Sequence, residues 1–183
     1  MLEALIAYHC APALAGIKPA NIVSCQKSKN NNIYTELEKL NSELNCKDIY
    51  LEVLCECEKR LLVMVYRKAL LERYLNDRAN KAFLAKYGYS QAISTESHLE
   101  TLKSRMEFDS FPHEIGVFLG YPLRDIHCFI NHRDRGCLLC GEWKVYHNVP
   151  KAEKLFKRYR SCRKALSKRV ASGCSLAKIF CAA

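Results

Sequence analysis

The sequence predicts an α+β protein in which several helices pack on a small, mainly antiparallel sheet of three or four strands. Two observations carry this prediction. Residues 49–66 have the pattern of two apolar strands joined by a short polar turn, and most other stretches repeat their apolar residues at helical spacing. The chain has 183 residues, 49% hydrophobic and 26% charged, so residues 1–183 are expected to fold as a single domain.

The N-terminal part predicts an edge strand followed by a helix. Pro12, Gly16 and Pro19 indicate a loop that leads to a strand near Ile22, because proline cannot donate a hydrogen bond inside a central strand. A helix is expected next from four apolar residues at helical spacing: Ile33, Leu37, Leu40 and Leu44.

The central hairpin is the clearest prediction of strands. Residues 49–57 alternate apolar and polar side chains, with Glu52 and Glu56 on the polar face, which is typical of a half-buried strand. Residues 58–60 form a polar turn, and residues 61–66 form a continuous apolar strand. The alternation assigns five residues to the buried face of the first strand: Ile49, Leu51, Val53, Cys55 and Cys57.

Helices are predicted for most of the chain after the hairpin. Residues 67–87 form one or two helices that end at Gly88, and residues 96–107 form another. Pro122 opens a further helix, in which Asp125 suits the positive N-terminal end.

The last element is a basic amphipathic helix over residues 150–172. Residues 144–183 contain 11 Lys and Arg residues but a single acidic residue, Glu153, so they carry the whole formal net charge of +10. A basic face can contact phosphates, which makes nucleic acid or an acidic partner a candidate ligand, although no nucleic-acid motif lies nearby. One apolar stripe is expected to pack inward: Ala152, Leu155, Phe156, Tyr159, Cys162, Leu166 and Val170.

Cysteine usage and hydropathy indicate a cytoplasmic protein. The eleven cysteines are odd in number and spread along the chain, mostly within apolar patterns. The start of the chain carries Glu3 and lacks a basic segment, so no signal peptide is predicted and the thiols are expected to be reduced. No apolar run approaches the roughly 18 residues that a membrane span needs.

Three stretches combine Cys, His, Gly, Pro and aromatic residues more specifically than a core requires. In the first, His9 and Cys10 are adjacent and precede a Gly- and Pro-containing segment with Lys18 and Asn21. A cysteine beside a histidine suits a nucleophile or half of a metal site, and a lysine suits an anion. A buried Cys10 with a surface His9 is the structural alternative.

The second stretch, residues 111–122, has two glycines and two prolines, which demand a defined backbone path. Aromatic neighbours around His113 and Glu114 would desolvate the imidazole and shift its pKa, as acid–base chemistry requires. A buried aromatic turn that also includes Tyr121 is the structural alternative.

The third stretch, residues 137–147, alternates loosely and predicts a third strand. Its Cys137 and Cys140 form a Cys-x-x-Cys pair, which is half of a zinc site or a redox pair. Cys55 and Cys57 would have to complete a zinc site, but their spacing does not match the usual one.

These residues together resemble an uncharacterised bacterial family, found mainly in Clostridia, the domain-of-unknown-function family 3793. The resemblance implies no activity, but Cys10 and Cys140 fall within the family's pattern, whereas Cys137 stands where another residue is expected. The resemblance spans nearly the whole chain, and its strongest matches are His9-Cys10-Ala11-Pro12, Ala15-Gly16-Ile17-Lys18-Pro19-Ala20-Asn21, Val65-Tyr66-Arg67, Phe111-Pro112-His113-Glu114-Ile115-Gly116, Phe118-Leu119-Gly120-Tyr121-Pro122, and Cys140-Gly141 with Trp143-Lys144-Val145-Tyr146.

The function is therefore unknown, and three hypotheses follow from the residues. The first is a binding or accessory protein with a cleft for a metal, a metal-bearing cofactor or a small anionic ligand. Zn²⁺ or iron would suit the metal ligands His9, Cys10, His113 and Cys140. The other ligand-binding candidates are Lys18, Asn21, Tyr121 and Trp143.

The second hypothesis is a thiol-dependent enzyme. Cys10 would be the nucleophile, His113 the base and Glu114 the group that orients the base. The third is nucleic-acid or acidic-partner binding through residues 151–169 of the basic helix.

Overall fold

The computed structural model describes residues 2–27, 32–107 and 111–181. Its central element is an antiparallel three-stranded sheet, and several helices pack around it, so the predicted α+β class is confirmed. The middle strand is β3, whose unbroken apolar run fits a strand that is covered on both faces. The strands lie in the order β1 (Ala20–Gln26), β3 (Arg60–Arg67) and β2 (Ile49–Glu56).

The predicted hairpin and edge strand are confirmed, but the buried face of β2 changes along its length. The register of β2 against β3 shifts between Val53 and Cys55, which marks a β-bulge. Because a bulge adds one residue to one strand, side chains beyond it point to the opposite face. Leu54, at the bulge, lies on the same face as Tyr50 and is buried because helices cover that second face as well. Cys57 lies beyond the bulge and is exposed, where strict alternation predicted that it is buried.

Helices from both ends of the chain cover the first face of the sheet, which bears Val63 and Val65. The predicted stripe from Ile33 to Leu44 is confirmed, because all four of its apolar residues are buried. The loop predicted around Pro12 is instead a short helix, since proline is tolerated in the first helical turn. The covering helices are α1 (Leu2–His9), α2 (Ala11–Leu14), α3 (Ile33–Leu44) and α10 (Leu176–Cys181), together with the later part of the long helix Val149–Ala171, which buries Leu166 here.

Helices from the middle of the chain cover the second face, which bears Met64 and Tyr66. The predicted segment 67–87 divides into two helices because the Asp77 carboxylate caps the second one through the amides of Ala79 and Asn80. The covering helices are α4 (Lys68–Asn76), α5 (Arg78–Ala85), α6 (Thr95–Met106), α7 (Ile115–Phe118) and α8 (Leu123–His132).

The third strand predicted over residues 137–147 does not join the sheet. It folds back on itself around residues 141–143 as a separate two-stranded hairpin, β4 (Leu139–Cys140) and β5 (Lys144–Val145). This hairpin packs on the basic helix α9 (Val149–Ala171), whose predicted position is confirmed. Among the described residues, no helix combines the length and apolarity needed to cross a lipid bilayer.

Candidate functional site

An apolar cavity of about 300 Å³ opens between the second face of the sheet, the segment around α7, helix α8 and the β4–β5 hairpin. Few polar side chains reach it, and most of its wall is aliphatic or aromatic. The lining residues are Ile22, Phe111, His113, Ile115, Gly116, Leu119, Tyr121, Asp125, Ile126, Phe129, Trp143 and Lys144. Two of the three stretches singled out in the sequence therefore meet at one site.

The glycines of the stretch 111–122 fix the shape of this wall. A Cβ atom at Gly116 would lie 3.0 Å from Ile126, so the missing side chain lets α8 approach α7 closely. Gly120 has a φ of +70°, and a Cβ there would lie 2.6 Å from the Pro19 ring. The predicted need for a defined backbone path thus has a physical cause at both positions.

Asp125 holds the β4–β5 hairpin against helix α8. Its buried carboxylate accepts hydrogen bonds from the indole Nε1 of Trp143 at 2.8 Å, and from the amides of Tyr146 and His147 at 2.9 and 3.1 Å. These donors occupy the carboxylate, so Asp125 builds the cavity wall and is not available to a ligand. The sequence predicted Asp125 near a helix start but gave no sign of this anchoring role.

Three basic side chains form a rim around Phe129 at the cavity, and this basic rim comprises His113, Arg133 and Lys144. The His113 imidazole meets the Phe129 ring edge-on with 5.0 Å between centroids. The Arg133 guanidinium and the Lys144 ammonium lie 5.6 and 5.9 Å from the same centroid. Within the described chain, the acidic partner seen at this rim is Asp134, which pairs with Lys144.

Burial and the neighbouring Arg133 both favour the neutral form of His113. The Arg133 guanidinium donates a hydrogen bond to Nε2 of His113, so that nitrogen must be an acceptor. Burial against the aromatic rings, followed by the Arg133 charge, lowers the pKa of His113 below its ordinary value. The sequence-based expectation that aromatic neighbours desolvate this imidazole agrees with that direction.

Glu114 does not orient His113, although the two are adjacent in sequence. Its buried carboxylate pairs with Arg105 and accepts a hydrogen bond from the Tyr89 hydroxyl at 3.4 Å. Arg105 lies on α6 and Tyr89 in the core of the second face, so Glu114 anchors α7 to α6.

Comparison with known proteins agrees with the resemblance found in the sequence. A family model described as "Protein of unknown function (DUF3793)" matches residues 6–180. The chain belongs to this family. Searches of curated proteins and of solved structures find no match.

In this DUF3793 member, Cys10 lies apart from the cavity. It is fully buried in the core of the first face, whereas His113 lies with the residues that cover the second face. Burial strongly raises the pKa of the Cys10 thiol, which disfavours the thiolate that a nucleophile or metal ligand needs. The sheet therefore separates the nucleophile from the base that the thiol-enzyme hypothesis requires.

The proposed metal ligands do not form a cluster either. His9 and Cys140 are both exposed, on α1 and on β4 respectively. Among residues 2–27, 32–107 and 111–181, no three His, Cys, Asp or Glu side chains group closely enough to hold a metal ion. Zinc or iron binding at His9, Cys10, His113 and Cys140 stays a prediction that this arrangement does not support.

Lys18 and Asn21 have structural positions outside the cavity lining. The Asn21 amide oxygen accepts a hydrogen bond from the Ala13 amide and so ties α2 to β1. Lys18 is 2% exposed, and its ammonium lies 5.0 and 5.7 Å from the ring centroids of Tyr121 and Tyr159. Burial lowers the pKa of Lys18 to about 8, although nearby Glu142 opposes the shift.

Tyr121 and Trp143 are the ligand-binding candidates that the structure places at the cavity, together with His113. Arg133 was not predicted as a site residue, because it lies in a polar turn with no motif. Phe129 was not predicted either, although its helical spacing from Ile126 places both residues on one face of α8.

Proposed function

We propose that this protein binds a small amphiphilic anion, whose apolar body fills the cavity and whose acidic head group lies against the basic rim. The observation that carries the proposal is the position of His113, Arg133 and Lys144 around one aromatic side chain at an otherwise apolar cavity. Apolar walls with a few convergent polar groups are typical of ligand sites.

The size and the charge of the site support an anion of limited size. A volume of about 300 Å³ lies at the lower end of the range for ligand pockets. The Asp125 carboxylate in the wall is already occupied by its donors, whereas the exposed Arg133 offers a planar fork that suits a carboxylate or a phosphate.

Titration of His113 should make the affinity for the anion depend on pH. A bound anion favours the protonated imidazole, while the free protein has a His113 pKa below the ordinary value. Affinity should therefore increase as the pH falls through the titration range of His113, and the complex should take up a proton.

The test compares ligands that differ only in their head group. Octanoate and 1-octanol are titrated against the cavity by competition with 1-anilinonaphthalene-8-sulfonate, whose fluorescence reports apolar binding. We expect octanoate to bind more tightly, and Arg133→Gln to weaken octanoate by about 10-fold with little effect on octanol, because a charged hydrogen bond is lost.

Two controls make this test specific. Arg135→Gln removes a charge two residues from Arg133 that does not belong to the basic rim around Phe129, and it should leave both affinities unchanged. Ile22→Phe fills the cavity from β1 and should weaken both ligands alike. Equal affinity for octanoate and octanol, or the same loss with Arg135→Gln, would exclude anion recognition by the rim.

A second candidate function uses the basic helix α9. Two open grooves lie along it and share Gly141, Phe156 and Arg160. A Cβ at Gly141 would lie 2.3 Å from Phe156, so the glycine allows the β4–β5 hairpin to form one wall of both grooves. The basic side chains along these grooves are Lys154, Lys157, Arg160, Arg163 and Lys164.

We propose that a nucleic acid or another polyanion would bind along these grooves. The test is fluorescence anisotropy with a single-stranded RNA across a range of salt concentrations, since phosphate contacts give a linear loss of log affinity with log salt. Changing Lys154, Lys157 and Arg160 together to Gln should flatten that slope. The matched control changes the exposed Arg73, Arg78 and Lys81 on α4 and α5. No binding at low salt would eliminate this candidate.

A further inference from the structure

Two cysteines that are far apart in sequence meet on the surface of the first face. Cys46 lies in the single helical turn Asn45–Lys47 that follows α3, and Cys181 is the last residue of α10. Their sulfur atoms are 3.7 Å apart. Both thiols also donate to the carbonyl oxygen of Glu43 near the end of α3, at 3.4 and 3.2 Å.

We propose that Cys46 and Cys181 are a disulfide-forming pair that fastens the C-terminal helix to α3 under oxidising conditions. A disulfide bond is about 2.05 Å long, so the sulfurs must approach by only about 1.7 Å, which is the scale of a side-chain rotation. Neither the cavity nor the basic grooves include these residues, and the inference stands apart from the proposed functions.

Exposure sets the order of the two chemical steps. Cys46 is exposed, whereas Cys181 is half-buried, and burial together with the contact to the Cys46 sulfur raises the pKa of the Cys181 thiol. Cys46 therefore reacts first with an external disulfide such as oxidised glutathione. The Cys46 thiolate attacks one glutathione sulfur and forms a mixed disulfide, and the first glutathione leaves as a thiolate that takes up a proton.

The second step closes the intramolecular bond. The Cys181 thiol loses its proton and attacks the Cys46 sulfur, which releases the second glutathione. Two protein thiols are thus oxidised while one glutathione disulfide is reduced to two thiols. The Glu43 carbonyl, which both thiols contact, holds the two sulfurs on the same side of α3.

The bond would connect positions that are 135 residues apart, so it would constrain most of the unfolded chain. It would also fix α10, which begins beyond the end of α9 and buries Leu176 in the first-face core. We expect oxidation to raise the melting temperature by about 5–15 °C.

The experiment titrates the full chain with mixtures of oxidised and reduced glutathione under native conditions, followed by acid quenching and peptide mapping. We expect a cross-linked peptide pair containing Cys46 and Cys181, together with the rise in melting temperature. Cys57 is exposed and serves as the matched thiol, so Cys57→Ser should change neither result.

Cys46→Ser should abolish both the cross-link and the stabilisation, and Cys181→Ala provides the same test should the first variant fold poorly. Modification of the exposed Cys57 shows that the thiols have had time to react. The proposal would be overturned if, at that stage, Cys46 and Cys181 carried only separate glutathione adducts and no bond joined them. Equal yields of other cysteine pairs under native conditions would overturn it as well.

Discussion

The first and second motif stretches begin from similar residues and end in opposite environments. Residues 9–21 and residues 111–122 both combine glycine, proline and a candidate chemical group, and they touch where Pro19 packs on Gly120. The first stretch closes into the core, so its thiol is fully buried and its Asn21 amide is used within the fold. The second stretch opens on a cavity and leaves its imidazole half-exposed beside two cations.

This difference shows that a local excess of glycine and proline identifies a stretch with a specific backbone path. Burial then decides whether the reactive side chain in that stretch can reach a ligand. Cys10 precedes the short helix α2, whose residues are all buried, so no solvent reaches its sulfur. His113 precedes the equally buried α7, but it faces Phe129 and the rim at the open side of the fold. The same arrangement of a residue before a short helix is structural in one stretch and accessible in the other.

The largest expected effect comes from breaking the contact between the two stretches. Gly120→Ala places a side chain at a φ of +70° and within 2.6 Å of Pro19. Left-handed strain and overpacking together should lower the free energy of unfolding by about 2–5 kcal/mol. Urea denaturation measures the loss.

Gly88→Ala is the matched control for this variant. Gly88 also has a positive φ, of +91°, but no atom lies within 4 Å of its Cβ position. Its loss should be limited to roughly 1 kcal/mol of backbone strain. Equal losses at the two glycines would show that the contact with Pro19 contributes nothing.

The next largest effect concerns the wall of the cavity. Asp125→Asn replaces a carboxylate that accepts from the Trp143 indole and two backbone amides, so one donor must face an amide hydrogen. We expect a loss of about 2–4 kcal/mol in unfolding free energy. Fluorescence of Trp143, the single tryptophan of the chain, should shift to longer wavelength as the hairpin loosens.

Asp134→Asn removes a carboxylate from the same region and provides the comparison. Asp134 is exposed and pairs with Lys144 at the surface, where such pairs contribute about 1 kcal/mol or less. A change in Trp143 emission with Asp134→Asn but not with Asp125→Asn would contradict the anchoring role.

A smaller effect, of opposite sign, is expected at Lys18, which belongs to the first stretch and contacts Tyr121 of the second. Burial lowers the pKa of Lys18 to about 8 from 10.5, so below pH 8 the folded state carries a buried charge that the unfolded state solvates. Lys18→Met should therefore stabilise the fold at pH 7 by about 1–3 kcal/mol.

The pH dependence of the Lys18 variant has a defined sign. Between about pH 8 and 10.5 the unfolded chain holds more protons than the folded one, so wild-type stability rises relative to Lys18→Met and the difference disappears above that range. Unfolding at several pH values measures this, with the exposed Lys81→Met as control. A destabilised Lys18→Met at pH 7 would mean that the buried ammonium makes a net favourable interaction with its aromatic neighbours.

The fold could be predicted from the sequence better than the site could, for a physical reason. Hydrophobic periodicity reports which side chains face a core, so it located α3, the β2–β3 hairpin and α9. Periodicity failed where one extra residue shifts the alternation of inward and outward side chains, as at the bulge after Val53. It also failed where a strand is too short to show any alternation, as in β4 and β5.

The site depends on which faces of separate elements meet, and periodicity does not contain that information. The sequence located His113, Tyr121 and Trp143 through their unusual composition, and all three line the cavity. It grouped them with Cys10 because all belong to motif stretches, although the three-stranded sheet lies between Cys10 and the cavity.

The smallest expected effect tests that separation directly at Cys10. Its thiol is fully buried and burial raises its pKa, so iodoacetamide at pH 8 should leave it unmodified over hours under native conditions. The exposed Cys57 and Cys140 should be alkylated within the same period, and peptide mapping by mass spectrometry distinguishes them. Denaturation before labelling should make all three react at similar rates. Rapid native labelling of Cys10 would instead place an accessible thiolate in the first stretch, and the thiol-enzyme hypothesis would then deserve priority over anion binding at the cavity.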